Sequence, residues 1–313
     1  MQYKYDVLCI GQMGADILVR PVPQDLFSLD SNRVEPIVLW TGGDAQNQAV
    51  VLSKLGMQVA LIGKIGQDDW GDFMLRIARE RGVCTEHVIR DASLPSATSV
   101  VLIRADGQRN FLHHGGSSDT LCLAEIDLSL IGQARMLSFG SLFSMPGLMD
   151  GGFAALARAA RQAGTPVCAD TAQVPKGVTM SDIAPILSQL NYFLPSYEEA
   201  SVLAQCTDPA EIAAALATVC PGVVIVKHGA DGCYVNDGAQ AFHVPAFAVH
   251  AVDTTGAGDN FVGGFLYASL QGLELSACVQ YACATGAISV QSVGTTTGLR
   301  DAAQVEDFLR AHA

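Results

Sequence analysis

Basic residues are scarce in this sequence: 18 Lys plus Arg stand against 31 Asp plus Glu, leaving a formal charge of −13 over 313 residues. No Lys/Arg cluster interrupts that acidic excess, so the phosphate-neutralising footprint of a nucleic-acid binder is missing. Charge of either sign is sparse, at 16% of residues, while half the chain is hydrophobic and 31 residues are glycine. That mixture describes a large packed core with many tight loops rather than disorder. Long apolar runs are lacking too, since no segment approaches the roughly 18 consecutive apolar residues of a spanning helix. The run Val7 to Ile10 has no basic flank and is too short for a signal core. A cytoplasmic protein is expected.

Paired cysteine spacing is also absent. The nine cysteines, at 9, 84, 122, 168, 206, 220, 233, 278 and 283, are odd in number and contain no Cys-x-x-Cys. A disulfide framework is therefore not indicated, and most of them are expected to be buried small hydrophobes. At this length a fold buries about three quarters of its unfolded surface and needs neither disulfides nor a structural metal. Familiar catalytic signatures are missing as well. Gly63-Lys64 follows Gly56 at the wrong spacing for a Walker A loop, and Ile65 stands where Ser or Thr is needed. His-Glu-x-x-His and Gly-x-Ser-x-Gly do not occur.

What is present is an alternation of short apolar runs with helix-period stretches, the pattern of a sheet covered by helices. Strands are expected at Asp6 to Ile10, Gln58 to Ile62, Arg135 to Phe139, Pro166 to Ala169, Tyr192 to Leu194 and Val223 to Lys227. Several lack polar alternation, as parallel strands buried on both faces do. Helices are expected at Ala45 to Leu55, Gly71 to Arg81, Phe153 to Gln162, Pro209 to Val219, Asn260 to Leu270, Ser276 to Val290 and Ala302 to Arg310. Two inserts break the rhythm, about 17–40 and 96–114. In the second, Ser99 to Arg104 and Arg109 to His113 flank Asp106-Gly107 and read as a hairpin. Together the inserts predict a small sheet standing off the main body. Alternation puts His113 and His114 on opposite faces of that hairpin, which argues against a shared metal site and leaves one of them to face a substrate.

Two Gly-rich stretches carry the chemistry. In Asp253-Thr-Thr-Gly-Ala-Gly-Asp259, the small residues Gly256, Ala257 and Gly258 let backbone N–H groups converge at a helix start, which favours an anion. Asp259 beside such a hole would repel phosphate, so it makes sense as a base, although a plain turn with a capped helix fits the same residues. In Trp40-Thr-Gly-Gly-Asp-Ala-Gln-Asn47, Gly42 and Gly43 permit close approach to a small ligand, and Asn47 offers a donor and an acceptor one turn into the helix. An ordinary Gly-rich loop starting a helix at Asp44 is the plainer alternative. Asp16, five residues past Gly11, is placed to accept from sugar hydroxyls at the carboxyl edge of the sheet, or merely to cap.

The two stretches together, with Asp16 and Leu194-Pro-Ser-Tyr-Glu-Glu-Ala200, resemble the signatures of the ribokinase-like, or PfkB, carbohydrate kinases, on the bacterial sugar-kinase side. The resemblance spans the whole chain and implies one kinase domain, residues 1–313. It implies a three-layer α/β/α fold with a mainly parallel central sheet and a small β-sheet lid formed by the inserts. It further implies transfer of the γ-phosphate of ATP to a terminal sugar hydroxyl, with Asp259 as base and Gly256, Ala257 and Gly258 as anion hole. Asp16, Gly42, Gly43 and Asn47 would then hold the sugar. Lys227, Gly229, Gly232, Cys283 and Ala287 would line ATP. Glu199 would orient Mg2+ through water. Asp253, Thr255, Ser289, Ser292 and Gly294, with Gly298, would form the two loops around a monovalent cation, K+. A homodimer through the lid is implied by the same likeness. One departure is Ser196 where the family has Asn, a shorter side chain that reaches less far toward the metal network.

Other readings stay open at this stage. A nucleoside acceptor would use Phe27, Trp40 or Phe111 for stacking, a sugar phosphate would use Arg33, Arg104 or Arg109, and a non-catalytic sugar sensor would need no base beside an anion hole.

Overall fold

The computed structural model describes residues 3–312 apart from Leu29, Pro36, Asp106 and Gly107. The Asp-Gly turn expected in the second insert thus lies outside the described residues. In chain order the strands are β1 Tyr5–Gly11, β2 Gly14–Val22, β3 Ile37–Gly42, β4 Val59–Ile62, β5 Lys64–Gly66, β6 Ile89–Asp91, β7 Thr98–Arg104 and β8 Arg109–His114. They continue as β9 Ala134–Gly140, β10 Val167–Ala169, β11 Tyr192–Phe193, β12 Val223–Lys227, β13 Cys233–Asn236 and β14 Ala241–Val244. The helices are α1 Asp44–Lys54, α2 Asp69–Glu80, α3 Pro146–Met149, α4 Gly152–Ala163, α5 Met180–Leu187, α6 Tyr197–Ala204, α7 Pro209–Ala217, α8 Ala257–Leu270, α9 Leu275–Ser289 and α10 Ala302–Ala311.

The main sheet has eight strands in the order β14-β13-β12-β11-β10-β9-β1-β4. From β12 to β4 every pairing is parallel, and only β13 and β14 run antiparallel. Strand alternation divides the core into two layers. Val7 and Cys9 pack with α1, α8 and α9 on one face, whereas Leu8 and Ile10 pack with α4, α5 and α7 on the other. The result is a three-layer α/β/α body in which the apolar runs of the parallel strands are buried on both sides. All nine cysteines are unpaired and six are buried, in keeping with their role as small core residues.

Helix starts follow local chemistry. Asp68 caps α2 by accepting from Gly71 N at 2.8 Å, and Asp208 caps α7 by accepting from Ala210 N and Glu211 N, with Pro209 in the first turn. Several elements escaped the sequence pattern, among them the short β5, β6 and α3. Pro185 sits inside α5 and masks its period, α6 has little amphipathic character, and β13 and β14 are short antiparallel additions.

A second sheet of four strands, ordered β3-β2-β7-β8, stands off the main body. It begins at Gly14 rather than near residue 17, and β3 continues to Gly42. Asp16 therefore lies on β2, opposite Trp40 and Ser99, instead of at the carboxyl edge of the main sheet. The chain can leave β1 and enter β2 after only two residues because Gly11 takes φ 152°, with Gly140 packed where a side chain would stand.

Candidate active site

Parallel topology gathers the ends of β1, β9, β10, β11 and β12 on one edge of the main sheet. At that edge stand Asp44 at the start of α1, Ser141 after β9, Asp170 after β10, Ser196 after β11 and Lys227 at the end of β12. Ligands of open α/β sheets bind at such an edge. Gly256 caps α8 in the left-handed conformation, φ 76°, against the backbone of Thr295, so no other residue fits that turn easily. Gly258 follows one residue into the helix, and a Cβ there would lie 3.4 Å from Lys227 Nζ. The lysine ammonium thus sits over the turn whose N–H groups open α8.

Asp259 occupies the first turn of α8 and is 5% exposed. Its carboxylate accepts from Asn47 Nδ2 at 2.8 Å and from Gln48 Nε2 at 3.4 Å, joining two motifs that lie 212 residues apart in sequence. Asn47 Oδ1 is buried with no donor among the described residues. Carboxylate oxygens of Asp44, Asp170 and Asp259 all lie within 4.8 Å of one another. Lys227 Nζ donates to Asp170 Oδ1 at 2.7 Å, and the two side chains are 12% and 4% exposed.

Burial and then the charges of Asp44 and Asp170 hold the Asp259 carboxyl well above the usual carboxylate range, against the opposing Asn47 hydrogen bond and Lys227. Burial, followed by Asp170, lifts Asp44 to about 7, despite a hydrogen bond from Ser141. Burial alone would lower the Lys227 ammonium, but Asp170 and Glu199 together raise it. One buried cation thus serves several carboxyls, and they cannot all ionise freely. Asp44, Asp170, Gln48 and Ser141 were not singled out for function in the sequence, because none sits in a motif that announces its role.

The paired glycines also make room for other segments of the chain. A Cβ on Gly42 would overlap the Asp16 carboxylate, and one on Gly43, at φ 86°, would strike the backbone of Gln12 and Met13. Both glycines make room for the β1–β2 passage, and Gly42 seats Asp16. A narrow cleft lined by Asp16, Leu18, Trp40, Val101 and Thr255 separates the small sheet from the α8 loop. A larger cavity, about 340 Å³, lies at the opposite, amino-terminal edge of the strands, beside Pro166, Asn191 and Gly222, remote from these motifs.

Glu199 is engaged locally. One of its oxygens accepts from Thr171 Oγ1 at 2.7 Å and Ser196 N at 3.2 Å, and the other accepts from Gln173 N at 3.1 Å. Ser196 Oγ accepts from Glu199 N in return, so the pair forms a capping box at α6. Of the residues aligned with ATP, Gly229 faces open space, whereas Gly232 packs against Val244 and serves the turn into β13. Cys283 and Ala287 lie on α9, 7% and 8% exposed, with Cys283 in the same core cluster as Cys233.

The two loops expected around a cation do meet. Gly294 N donates to Asp253 Oδ2 at 2.9 Å, Thr255 N donates to Asp253 Oδ1 at 2.9 Å, and Gly298 packs on the carbonyl of Ser289. The Ser289 hydroxyl turns back to Gly286 O at 2.8 Å, and Ser292 N reaches Ser289 O at 3.3 Å. Arg109, at the start of β8, crosses to the same place: it donates to Thr254 Oγ1 at 2.9 Å and to Thr255 Oγ1, and stands 3.7 Å from Asp253 Oδ1. Of the aromatic residues, Phe27 is 93% exposed, Trp40 packs against Gly294, and Phe111 is 51% exposed on the face that carries Arg109 and His113.

A three-layer, mainly parallel sheet with a small second sheet, and an N–H-rich helix start beside a buried carboxyl, is the architecture of a phosphotransferase of the ribokinase fold. Solved structures share it: Arabidopsis thaliana ribokinase complexed with ribose and ATP superposes with a TM-score of 0.84 at 23% identity over 99% of each chain. A putative ribokinase II from E. coli in complex with ATP and Mg2+ does so at 0.84 and 22%, over 98% of this chain and 99% of that one. The model of the pfkB family carbohydrate kinases matches residues 4–302, and the chain belongs to that family. It is 32% identical to aminoimidazole riboside kinase of Salmonella typhimurium, over 87% of this chain and 88% of that protein. It is 28% identical to probable fructokinase-5 of Arabidopsis thaliana, over 86% of this chain and 88% of that protein. Its activity class is accordingly that of a phosphotransferase with an alcohol acceptor.

Proposed function

We propose that the chain is one ATP-dependent sugar-kinase domain in which Asp259 takes the proton of the attacking hydroxyl. The observation that carries this reading is the 2.8 Å bond from Asn47 to Asp259, which puts the hydroxyl-recognising motif and the base in one site. A sugar hydroxyl that donates to the Asp259 carboxylate loses its proton as the γ-phosphoryl group arrives, while a neighbouring hydroxyl of the same sugar donates to the free Asn47 Oδ1. The N–H groups of Gly256, Ala257 and Gly258, with Lys227 above them, stabilise the charge on the transferred group. Asp16, seated by Gly42, accepts from further sugar hydroxyls. Gly229, Cys283 and Ala287 border the nucleotide, and Gly232 shapes the turn beside it.

The donor set at this edge suits a hard cation, because it is made of carboxylates. Mg2+ brought with ATP would neutralise phosphate charge, with Asp170 and Glu199 facing it through water. Asp253 and the loops of Thr255, Ser289, Ser292, Gly294 and Gly298 would hold K+ beside the anion hole, next to the charge that Arg109 already supplies.

The small sheet acts as a lid. Its inner row is Asp16, Trp40, Ser99 and His113, while the next row along, Ile17, Leu39, Val100 and Leu112, faces away from the site. Leu39 and Leu112 are 37% and 59% exposed, an apolar outer face suited to a homodimer through the lid. A nucleoside acceptor is the second reading, and the half-exposed Phe111 on the inner face is what favours it.

An ADP-release screen over ketoses, aldoses, sugar acids and nucleosides, with K+ or Na+, tests the proposal; release by nucleosides alone would replace sugar with nucleoside, and release by none would remove the kinase reading. Two variants follow from the geometry. Gly42→Ala displaces Asp16 and is expected to raise the acceptor KM about tenfold or more with the ATP KM within about twofold, by initial-rate kinetics. Arg109→Ala frees the tip of the lid from the α8 loop and is expected to raise ADP release in the absence of acceptor, because an unclosed site admits water.

A further inference from the structure

The inner row of the small sheet carries a chain of hydrogen bonds that the motifs do not account for. Gln12 Nε2 lies 3.3 Å from His113 Nε2, and His113 Nδ1 lies 3.0 Å from Ser99 Oγ. Ser99 is the cross-strand neighbour of Asp16, and its hydroxyl acts to lower the Asp16 pKa against the larger opposing effect of burial. Strand register produces this line, since Asp16 is paired with Ser99 and Ser99 with His113 across three strands.

Chemistry fixes the direction of the chain. With the Gln12 amide nitrogen as donor, His113 Nε2 accepts and the ring proton sits on Nδ1. That proton goes to Ser99 Oγ, which leaves the serine hydroxyl to donate to Asp16, an acceptor only. Each donor is consumed by the next group, and the line ends on the carboxylate. Asp16 is wedged on its other side by Gly42, whose missing side chain leaves room for both of its oxygens.

We propose that Gln12, His113 and Ser99 are positioning residues for the acceptor: they hold Asp16 in one rotamer with part of its accepting capacity spent, so that the remainder selects a neutral polyhydroxy acceptor that presents a hydroxyl donor there. His113 lies at the open side of the cleft, exposed, and does not touch Asp259 or Lys227. Its influence falls on acceptor binding and selectivity, not on the phosphoryl-transfer step. The inference rests on the proposed role of Asp16 in holding sugar hydroxyls.

The test uses the full chain with whichever of D-fructose, D-ribose or the other sugars of the screen is turned over. His113→Ala is expected to raise the acceptor KM about tenfold, with kcat and the ATP KM within about twofold. His113→Asn, whose amide can still donate to Ser99, should restore the acceptor KM to within about threefold of wild type. A general packing defect would not separate the two KM values or respond to Asn. An unchanged acceptor KM in His113→Ala, or equal losses for ATP and acceptor, overturns the inference. Asp16→Ala keeps the two levels apart: if it abolishes acceptor binding while His113→Ala is silent, only the positioning role falls. If Asp16→Ala is itself silent, or no sugar is turned over, the underlying reading of the site falls as well.

Discussion

Asp259→Asn is expected to lower kcat by about two to four orders of magnitude, the usual contribution of a positioned base, while ATP still binds. The substitution keeps size and shape, so the anion-binding turn of Gly256 to Gly258 stays formed. It also removes a negative charge from a crowded site, since Asp44 and Asp170 lie within 4.8 Å of this carboxyl. The variant should therefore be at least as stable as the wild type near pH 8, and lost activity cannot be assigned to unfolding. ADP release measures the first effect, and a nucleotide-dependent rise in Tm measures the second. Near wild-type turnover would exclude Asp259 as the base. The wild-type pH profile adds a sign. The carboxyl pKa is raised by burial and its acidic neighbours, and the base works only when deprotonated, so kcat should fall as pH drops through that raised value. Because Asp44 titrates in the same cluster, near 7, the apparent pKa of the acid limb belongs to the group rather than to one residue.

Much of this architecture is legible in the sequence. Runs such as Val223 to Lys227 are apolar throughout because both faces of a parallel strand are covered, and that makes them visible without alternation. Asp259 and Asn47 could be named because glycines beside them mark turns where the backbone must approach something closely, whereas Lys227 came only with the resemblance to the kinase family. Gly42 and Gly43 also give way to Asp16 and Gln12 of the same chain, a packing relation between segments that a linear pattern does not display. Asp44 and Asp170 escaped for a related reason. Each is a single acidic residue at the end of a strand or the start of a helix, and only the parallel order of β9, β10 and β1 brings them together. Glu199 shows the converse. Its spacing from Ser196 fits a metal-binding signature, yet the same spacing is that of a capping box, to which one of its oxygens belongs, while both oxygens also accept from the loop after β10.

Lys227→Met is expected to produce the largest loss of stability, on the order of 3–5 kcal/mol above neutral pH, because it strips a buried carboxylate of its partner. Lys227 bonds to Asp170 at 2.7 Å, and the charges of Glu199 and Asp259 also act on it. The pH dependence separates this cause from simple loss of packing. In the wild type, Asp44 and Asp170 have folded-state pKa values above those of the unfolded chain, so the native state binds more protons than the unfolded one. Stability then falls as pH rises from about 4 toward 7, the reverse of an ordinary salt-bridged carboxylate. The raised Lys227 pKa contributes stability that persists until pH exceeds its folded value, above the ordinary 10.5, so the lysine offsets the carboxylates across the whole neutral range. Without it the carboxyl pKa values climb further and the downward slope steepens. The difference in Tm between wild type and Lys227→Met should accordingly be smaller at pH 5, where Asp44, raised to about 7, carries its proton, and widen steadily to pH 8. Adding Asp44→Asn to the variant should recover part of the loss at pH 8 and none at pH 5, since it removes a charge that is absent in acid. A Tm difference that stayed constant from pH 5 to pH 8 would mean that Lys227 supports the fold through its aliphatic stem rather than its charge.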